Sequence, residues 1–182
     1  EGETFEDIEA YGVDRYLEEL ARELKELRYQ PGPVRRVLIE KENQPGKYRP
    51  LGIPNIRDRI VQQAVVLLLS PIFEADFPEE MYGYREGRSA QEAVREVDEG
   101  LRNRWVNVVD GDLSKYFETI PHDQLMESVE RRVADRKVLW LIRAWLKVPV
   151  HETNARGRVV VRGGRKTKEG TPQGGVISPL LA

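Results

Sequence analysis

Apolar residues recur at helical spacing in several parts of the chain, which predicts amphipathic helices. In residues 13–28 an apolar side chain returns at every third or fourth position, with charged residues between. Three later stretches repeat the pattern, residues 90–102, 122–133 and 135–147. Asp58 is expected to cap a further helix that runs to about Ser70. The predicted inward positions are Leu17, Leu20, Ala21, Leu24, Leu27, Ala93, Val94, Val97, Leu101, Val138, Leu139, Ile142, Trp145 and Leu146.

Shorter apolar runs, bounded by glycine, proline and asparagine, predict strands. Residues 34–41 and 48–54 flank a turn rich in such residues and are expected to form a hairpin. Residues 148–153 and 158–161 predict a second strand pair, and residues 105–112 predict a central strand. The predicted order of elements indicates the α+β class. It begins with a helix, a hairpin and further helices, and it continues with a strand, two helices and more strands.

Composition favours a globular protein without covalent cross-links. The chain has 182 residues, 40% hydrophobic and 33% charged, and it contains no cysteine. Disulfides and zinc–thiolate sites are therefore excluded. No apolar run approaches the roughly 20 residues of a membrane span, and no signal peptide is visible. A cytoplasmic protein that does not engage a membrane is expected.

The charges are unevenly distributed although the net charge is −2. An acidic total argues against a nucleic-acid binder, but local fields decide phosphate binding. Two basic groups stand out, and they are either phosphate-binding surfaces or solvated patches. The first contains Arg35, Arg36, Lys41, Lys47, Arg49, Arg57 and Arg59; the second contains Arg156, Arg158, Arg162, Arg165, Lys166 and Lys168.

Two acidic residues end the predicted central strand. Alternate residues of a strand share a face, so Asp110 and Asp112 are expected to project together. Gly111 between them leaves room for a large ligand. Carboxylates in this arrangement suit a hard cation such as Mg²⁺. The alternative is a strand whose last aspartate caps the next helix.

Several motifs in a fixed order make the chain resemble a reverse transcriptase, most of all the group II intron-encoded enzymes and their bacterial relatives. The resemblance covers residues 29–182. It rests on Arg49-Pro50-Leu51-Gly52-Ile53-Pro54, Arg57-Asp58-Arg59 with Gln62-Gln63, Tyr82-Gly83-Tyr84-Arg85 with Gly87-Arg88-Ser89, Asp112-Leu113 with Phe117 and Ile120-Pro121-His122, and Gly170-Thr171-Pro172-Gln173-Gly174-Gly175.

The resemblance implies the fingers and part of the palm of a right-handed polymerase, with an antiparallel palm sheet backed by helices. Residues 1–30 are then an N-terminal helical extension. Residues 31–104 are the fingers, with the hairpin at residues 34–54, and residues 105–182 are a partial palm. The Tyr-x-Asp-Asp hairpin and the thumb of the family are missing, and no Asp-Asp pair occurs in the sequence. The chain alone is therefore expected to bind metal weakly, not to polymerise, and to self-associate.

The implied activity is RNA-directed DNA synthesis, which adds dNTPs to a DNA primer on an RNA template with two Mg²⁺ ions. Asp112 matches the first metal-binding aspartate of the family, and the backbone carbonyl of Leu113 is an additional ligand. Lys41 and Arg49 match the residues that grip the triphosphate, with Lys47 as the alternate of Lys41.

Further residues acquire roles through the same resemblance. Gln173 matches a nucleotide-contacting glutamine, and Phe117 matches the aromatic gate that excludes ribonucleotides. The alternative for Gln173 is a place in a loop that only closes the palm, and the alternative for Phe117 is an ordinary core aromatic. His122 is expected to make a local hydrogen bond. The arginines expected to contact template RNA, or else to be surface charges, are Arg35, Arg36, Arg85 and Arg88.

A second reading from another functional class remains open at this point. The same region in group II intron proteins grips the intron RNA and supports splicing, so a non-catalytic RNA-binding module is the alternative. Reverse transcriptases of CRISPR-associated and diversity-generating systems share these motifs. Metal-dependent dNTP binding separates a polymerase from an RNA-binding module.

Overall fold

A computed structural model describes residues 3–154, 156–171 and 174–181 of the chain. The helices within these residues are α1 Phe5–Tyr11, α2 Val13–Lys25, α3 Ile56–Glu74, α4 Ala90–Arg102, α5 Tyr116–Thr119, α6 His122–Glu130, α7 Arg136–Leu146 and α8 Ser178–Leu181. The strands are β1 Val34–Glu40, β2 Tyr48–Ile53, β3 Pro149–Thr153 and β4 Val159–Gly163. The α+β class predicted from the sequence is confirmed.

The strands form one sheet in the order β2-β1-β3-β4. The β1–β2 and β3–β4 pairs are the two predicted hairpins and are antiparallel, whereas β1 and β3 are parallel. Arg35 lies at the centre of this arrangement, opposite Ile53 on one side and His151 on the other. The sheet therefore joins strands from both sides of the predicted boundary at residue 105.

The parallel pairing of β1 and β3 places the two hairpin turns at the same end of the sheet. Both strands run toward that end, and each turns back there into its antiparallel partner. The turn between β1 and β2 spans residues 41–47, and that between β3 and β4 spans residues 154–158. Basic residues of both groups found in the sequence lie at this end.

The hydrophobic core lies mainly among helices α2, α3, α6, α7 and α8. Helix α7 contributes most, because the predicted inward residues Leu139, Ile142, Trp145 and Leu146 are buried there. Asp135 caps this helix by accepting hydrogen bonds from two backbone N–H groups of its first turn. The other members include Leu20, Val61, Val65, Leu69, Leu125, Met126, Val129, Ile177 and Leu181.

Helix α3 is apolar on two faces, one buried and one exposed. Val61 and Val65 lie in the core, whereas Leu67 and Leu68 are exposed. The helix continues through Pro71 to Glu74. None of the helices in the part of the chain that the structure describes is long and apolar enough to cross a bilayer.

The predicted cap of α3 is wrong, and Asp58 has a different role. Asn55 caps the helix, since its side chain accepts from the backbone N–H of Asp58. The Asp58 carboxylate is only 2% exposed and accepts hydrogen bonds from the Tyr29 hydroxyl at 2.5 Å and the Gly32 N–H at 2.9 Å. Burial raises the pKa of Asp58, and the hydrogen bond from Tyr29 acts in the opposite direction.

Through Tyr29 this network reaches the far side of the core. The Trp145 Nε1–H donates to the Tyr29 hydroxyl oxygen at 3.1 Å, so α7 is tied to α3 through a tyrosine that is 1% exposed. The side chains of Asp58, Tyr29 and Trp145 satisfy one another's hydrogen-bonding groups in the interior, where an unpaired donor or acceptor is costly. The network thus fixes the segment before β1 against both helices.

The predicted central strand at residues 105–112 is not formed. These residues have no regular structure and are exposed, Val109 to 97%. A strand requires a partner for its backbone N–H and C=O groups. None of the described strands pairs with this segment. The observed sheet also differs from an antiparallel palm sheet through its parallel β1–β3 pair.

The predicted inward faces of two helices are wrong in part. Val94, Val97 and Leu101 of α4 are exposed, because none of the described elements covers this face. In α2, Leu20 is buried but Leu17 is exposed, and Leu27 lies beyond the end of the helix at Lys25. Periodicity identifies an apolar face but not the element that packs against it.

Candidate nucleotide and metal site

Two motifs about fifty residues apart meet through backbone hydrogen bonds. We call residues 168–171 the crossing segment, because they run alongside residues 117–122. The Thr171 N–H donates to the Phe117 carbonyl at 2.7 Å, and the Gly170 N–H donates to the Ile120 carbonyl at 2.8 Å. The His122 N–H donates to the Lys168 carbonyl, also at 2.8 Å. Residues 117–122, which follow the aspartates, and the start of the glycine-rich motif are therefore neighbours in space.

Glycine is required where the crossing segment passes closest to its neighbour. Gly170 has a φ of +84°, in the region that favours glycine. A Cβ atom at this position would lie 2.8 Å from the carbonyl oxygen of Glu118, which is backbone. Any larger residue would therefore push the crossing segment away from α5.

Buried polar side chains hold the C-terminal end of the crossing segment. His122 is 5% exposed, and its Nε2 lies 2.7 Å from the Gly170 carbonyl. Because a carbonyl oxygen only accepts, Nε2 carries the proton. The Thr171 and Ser178 hydroxyls, both buried, are 2.8 Å apart. His122 makes a hydrogen bond as expected, but the bond is not local, because its partner Gly170 is forty-eight residues away in sequence.

The glycine-rich motif also touches the first hairpin. Gly174 has a φ of +100°, and a Cβ there would lie 2.6 Å from both the Gly52 carbonyl oxygen and Leu51 Cδ1. This close approach joins a third motif, residues 49–54, to the other two. Gln173, the predicted nucleotide contact, lies outside the described residues.

A cleft opens between the sheet and the crossing segment. It is lined by Val34, Arg36, Pro50, Gly52, Glu118, Val150 and Thr171. Arg36 is the cationic residue of this lining, and its guanidinium lies 3.7 Å from the Glu152 carboxylate. The lining thus contains one cationic and one acidic side chain, Arg36 and Glu118, and Arg36 is already paired with Glu152.

Phe117 lies beside this cleft within an aromatic cluster. Its ring is half-buried and makes edge contacts with Tyr84 and Tyr116, at centroid distances of 6.2 and 5.9 Å. Its carbonyl, not its ring, accepts the hydrogen bond from Thr171. The ring is therefore anchored on one side and accessible on the other.

The three basic candidates of the first hairpin are exposed near its turn. The Lys41 N–H donates to the Lys47 carbonyl at 2.8 Å, so the two lysines stand opposite each other where the turn begins. Arg49 pairs with Ile39 and lies on the same face as Arg35. That face is opposite to the one that carries Arg36, Pro50 and Gly52. The structure therefore does not bring Arg49 into the cleft.

The arginines of the loop that precedes α4 contact neighbouring groups of the protein. Arg85 pairs with Glu74 at 2.6 Å and donates to the Pro78 carbonyl at 2.7 Å. Arg88 lies over the ring of Tyr82, 5.4 Å from its centroid. These contacts organise the loop, a role that the sequence reading did not include for either residue.

The aspartates of the central motif are exposed and extended. Asp110, Asp112 and Leu113 lie in the segment without regular structure. Among the described residues no group of three or more histidine, cysteine or acidic side chains converges on a point. The carboxylates fit a hard cation in chemical type, because Mg²⁺ is commonly held by one or two carboxylates with waters and substrate phosphates.

Comparison with known proteins agrees with this combination of fold and motifs. The sequence profile of the family described as reverse transcriptase (RNA-dependent DNA polymerase) matches residues 39–182. The chain belongs to this family, and the resemblance to group II intron-encoded enzymes is confirmed by its relatives. Members of the family generally use a divalent metal ion.

The relatives extend well beyond the region that matches. Protein YkfC of Escherichia coli is 46% identical over 172 residues, which cover 91% of this chain and 42% of that protein. Group II intron-encoded protein LtrA of Lactococcus lactis is 36% identical over 91% of this chain and 26% of LtrA. A putative COX1/OXI3 intron 1 protein of Saccharomyces cerevisiae is 32% identical over 99% of this chain and 20% of its own length. The chain therefore spans less than half of these proteins.

A solved structure shows the same fold. A chain of a partial Cas6-RT-Cas1–Cas2 complex superposes with a TM-score of 0.56 at 25% identity. The match covers 92% of this chain and 28% of the other. The fingers–palm architecture is thus shared with a reverse transcriptase outside the intron-encoded proteins.

Proposed function

We propose that this chain is the nucleotide-binding part of an RNA-directed DNA polymerase, which adds dNTPs to a DNA primer on an RNA template. The convergence of three motifs carries the proposal. The hydrogen bond from Thr171 to Phe117 and the close approach of Gly174 to Gly52 bring these motifs together. Gly174 also approaches the side chain of Leu51, which lies on the same face of the hairpin as Arg49. Neither contact is required for the formation of the hairpin or the helices that contain these residues.

The proposed roles follow the chemistry of nucleotidyl transfer. Asp112 and the Leu113 carbonyl supply the oxygen ligands that Mg²⁺ prefers. Ions held there would supply Lewis-acid chemistry, which would activate the primer hydroxyl and neutralise charge on the leaving pyrophosphate. Lys41 or Lys47, together with Arg49, grips the triphosphate, and Gln173 contacts the nucleotide. Because Asp112 is exposed, the described residues alone are expected to bind the ion weakly.

The proposed division of the chain follows the architecture of the family. Residues 1–30 form the N-terminal extension, residues 31–104 the fingers and residues 105–182 part of the palm. Strands β3 and β4 belong to the same sheet as the fingers hairpin. Movement of the hairpin is therefore expected to carry these two strands with it.

Metal-dependent dNTP binding tests the proposal directly. The protein is expected to bind a dNTP in the presence of Mg²⁺ and to lose the ligand when the metal is chelated. Arg49→Gln is expected to raise the dissociation constant about tenfold, because a charge-assisted hydrogen bond to a phosphate is lost. Equilibrium titration with a fluorescent dNTP measures the change.

Arg15→Gln is the matched control for that experiment. Arg15 is also an exposed arginine, it pairs with Glu19 on α2, and its loss changes the net charge equally. The control is expected to bind dNTP as the wild type does. Equal weakening in both variants, or binding that ignores chelation, would contradict the assigned roles.

The second candidate function, a non-catalytic RNA-binding module that supports splicing, is favoured by the β3–β4 hairpin. Residues 153–168 carry six arginine and lysine residues and no acidic residue, in a chain of net charge −2. All six side chains are exposed. Of these, Arg162 pairs with Glu152 at 2.8 Å. Such a surface suits a phosphate backbone.

Salt dependence of RNA binding tests this surface. We expect the double variant Arg156→Gln/Arg158→Gln to weaken binding of structured RNA and to reduce the slope of log K against log salt by about two. Gel shift or fluorescence anisotropy over a salt series measures the slope. The double variant Arg15→Gln/Arg131→Gln removes the same charge from α2 and the end of α6, and it should keep the wild-type slope. Identical slopes in both double variants would exclude the hairpin as the RNA contact.

A further inference from the structure

We propose that His122 is a positioning residue for the nucleotide site, and this inference rests on the proposed polymerase function. Its side chain holds the crossing segment at the position where Thr171 meets Phe117. His122 itself is buried and does not line the cleft. It acts through the backbone of Gly170.

His122 contacts the crossing segment at two separate points. Its N–H donates to the Lys168 carbonyl, and its Nε2–H donates to the Gly170 carbonyl. The first contact needs only a backbone and is available to any residue except proline. The second needs a side-chain donor at a fixed distance from the backbone of α6. The side chain therefore adds a second restraint on Gly170, beside the hydrogen bond from the Gly170 N–H to the Ile120 carbonyl.

The environment of the imidazole favours one arrangement. The ring is buried, and Nδ1 has no hydrogen-bond partner among the described residues. A proton on Nε2 satisfies the Gly170 carbonyl. No other described side chain donates to this carbonyl. Loss of the imidazole would leave it without that partner.

Displacement of Gly170 would be transmitted to the neighbouring residue. A Cβ atom on Gly170 would lie 2.8 Å from the Glu118 carbonyl oxygen, so the crossing segment has little room to move toward α5 and more room to move away from it. Thr171 follows directly in the chain, and its N–H is bound to the Phe117 carbonyl. The pair of hydroxyls on Thr171 and Ser178 holds the other side. An outward shift would thus loosen the contact between the proposed sugar gate and the glycine-rich motif.

Three substitutions separate the hydrogen bond from packing. The amide nitrogen of glutamine lies about as far from Cβ as Nε2 of histidine, whereas that of asparagine is one bond shorter. His122→Gln should therefore retain the contact, and His122→Asn should lose it. Met126→Ala is the packing control, because Met126 is equally buried one turn further along α6 and forms no part of the contact.

Hydrogen exchange of the Thr171 amide tests the contact without relying on enzyme activity. We expect His122→Asn to accelerate this exchange about tenfold, because roughly one hydrogen bond is lost. His122→Gln should remain within about twofold of the wild type. Unchanged exchange in His122→Asn, or equal acceleration in Met126→Ala at matched global stability, would overturn the proposal.

Nucleotide kinetics of the polymerase that contains this chain test the consequence. His122→Asn is expected to raise KM for dNTP about tenfold and to weaken discrimination against ribonucleotides, with a smaller change in kcat. His122→Gln should restore both. Wild-type KM and discrimination in an active His122→Asn enzyme would overturn the positioning role. A wild-type protein without any DNA synthesis would instead contradict the proposed function, while the exchange result still decides the contact.

Discussion

Asp112→Asn is expected to abolish DNA synthesis by the polymerase that contains this chain. The substitution keeps the size of the side chain and removes the negative charge that a divalent ion requires. Loss of a single electrostatic contributor of this kind typically costs at least a hundredfold to a thousandfold in rate. Extension of a labelled DNA primer on an RNA template measures the effect.

The fold should be unaffected by this change. Asp112 is exposed and lies in a segment without regular structure, so no described packing depends on it. Asp110→Asn is the matched control, since Asp110 is equally exposed and only two residues away. The control is expected to retain most of the synthesis. Near-normal synthesis by Asp112→Asn, or equal loss in both variants, would remove Asp112 from the metal site.

Local features of the fold were predictable because their causes lie close together in sequence. The β1–β2 hairpin follows from two apolar runs around a turn rich in proline and glycine. Helix α7 follows from its periodicity and from Asp135 at its start. In both cases neighbouring residues supply the hydrogen bonds or the apolar face. No distant part of the chain has to be known.

Features that depend on distant partners were not predictable in the same way. Residues 105–112 have the composition of a strand, but a strand exists only when another pairs with it. The apolar side of α4 is equally regular in sequence, and the described structure leaves it exposed. Asp58 has the position of a cap, yet Tyr29 and Trp145 reach it from far away in sequence. Each outcome was decided by tertiary contacts.

The candidate site shows the same division. The motifs indicated that Phe117 and the glycine-rich segment belong to one site, and the hydrogen bond from Thr171 joins them. The sequence analysis anticipated a local hydrogen bond for His122 but not its partner, Gly170, forty-eight residues away. The parallel pairing of β1 and β3, which places the hairpin turns together, carried no signal in either strand. Motifs thus identify participants, and long-range hydrogen bonds decide their arrangement.

Phe117→Val is expected to increase ribonucleotide incorporation by the polymerase that contains this chain. We propose that the Phe117 ring lies beneath the sugar of the incoming nucleotide and excludes a 2′-hydroxyl by contact. Steric discrimination of this kind is worth about 1–3 kcal/mol, or roughly 10- to 200-fold. The ratio of kcat/KM for a dNTP to that for the matching rNTP should fall by a factor in this range.

The structure explains why this substitution isolates the ring. The Thr171 N–H is bound to the carbonyl of Phe117, so the crossing segment keeps its contact when the side chain is shortened. Tyr84→Asn is the control, because Tyr84 packs edge-on against Phe117 but is itself largely exposed, and asparagine tolerates its φ of 56°. It should alter the ratio much less. If Phe117→Val leaves the preference for dNTPs unchanged while synthesis continues, the ring belongs to ordinary palm packing and the sugar is selected elsewhere.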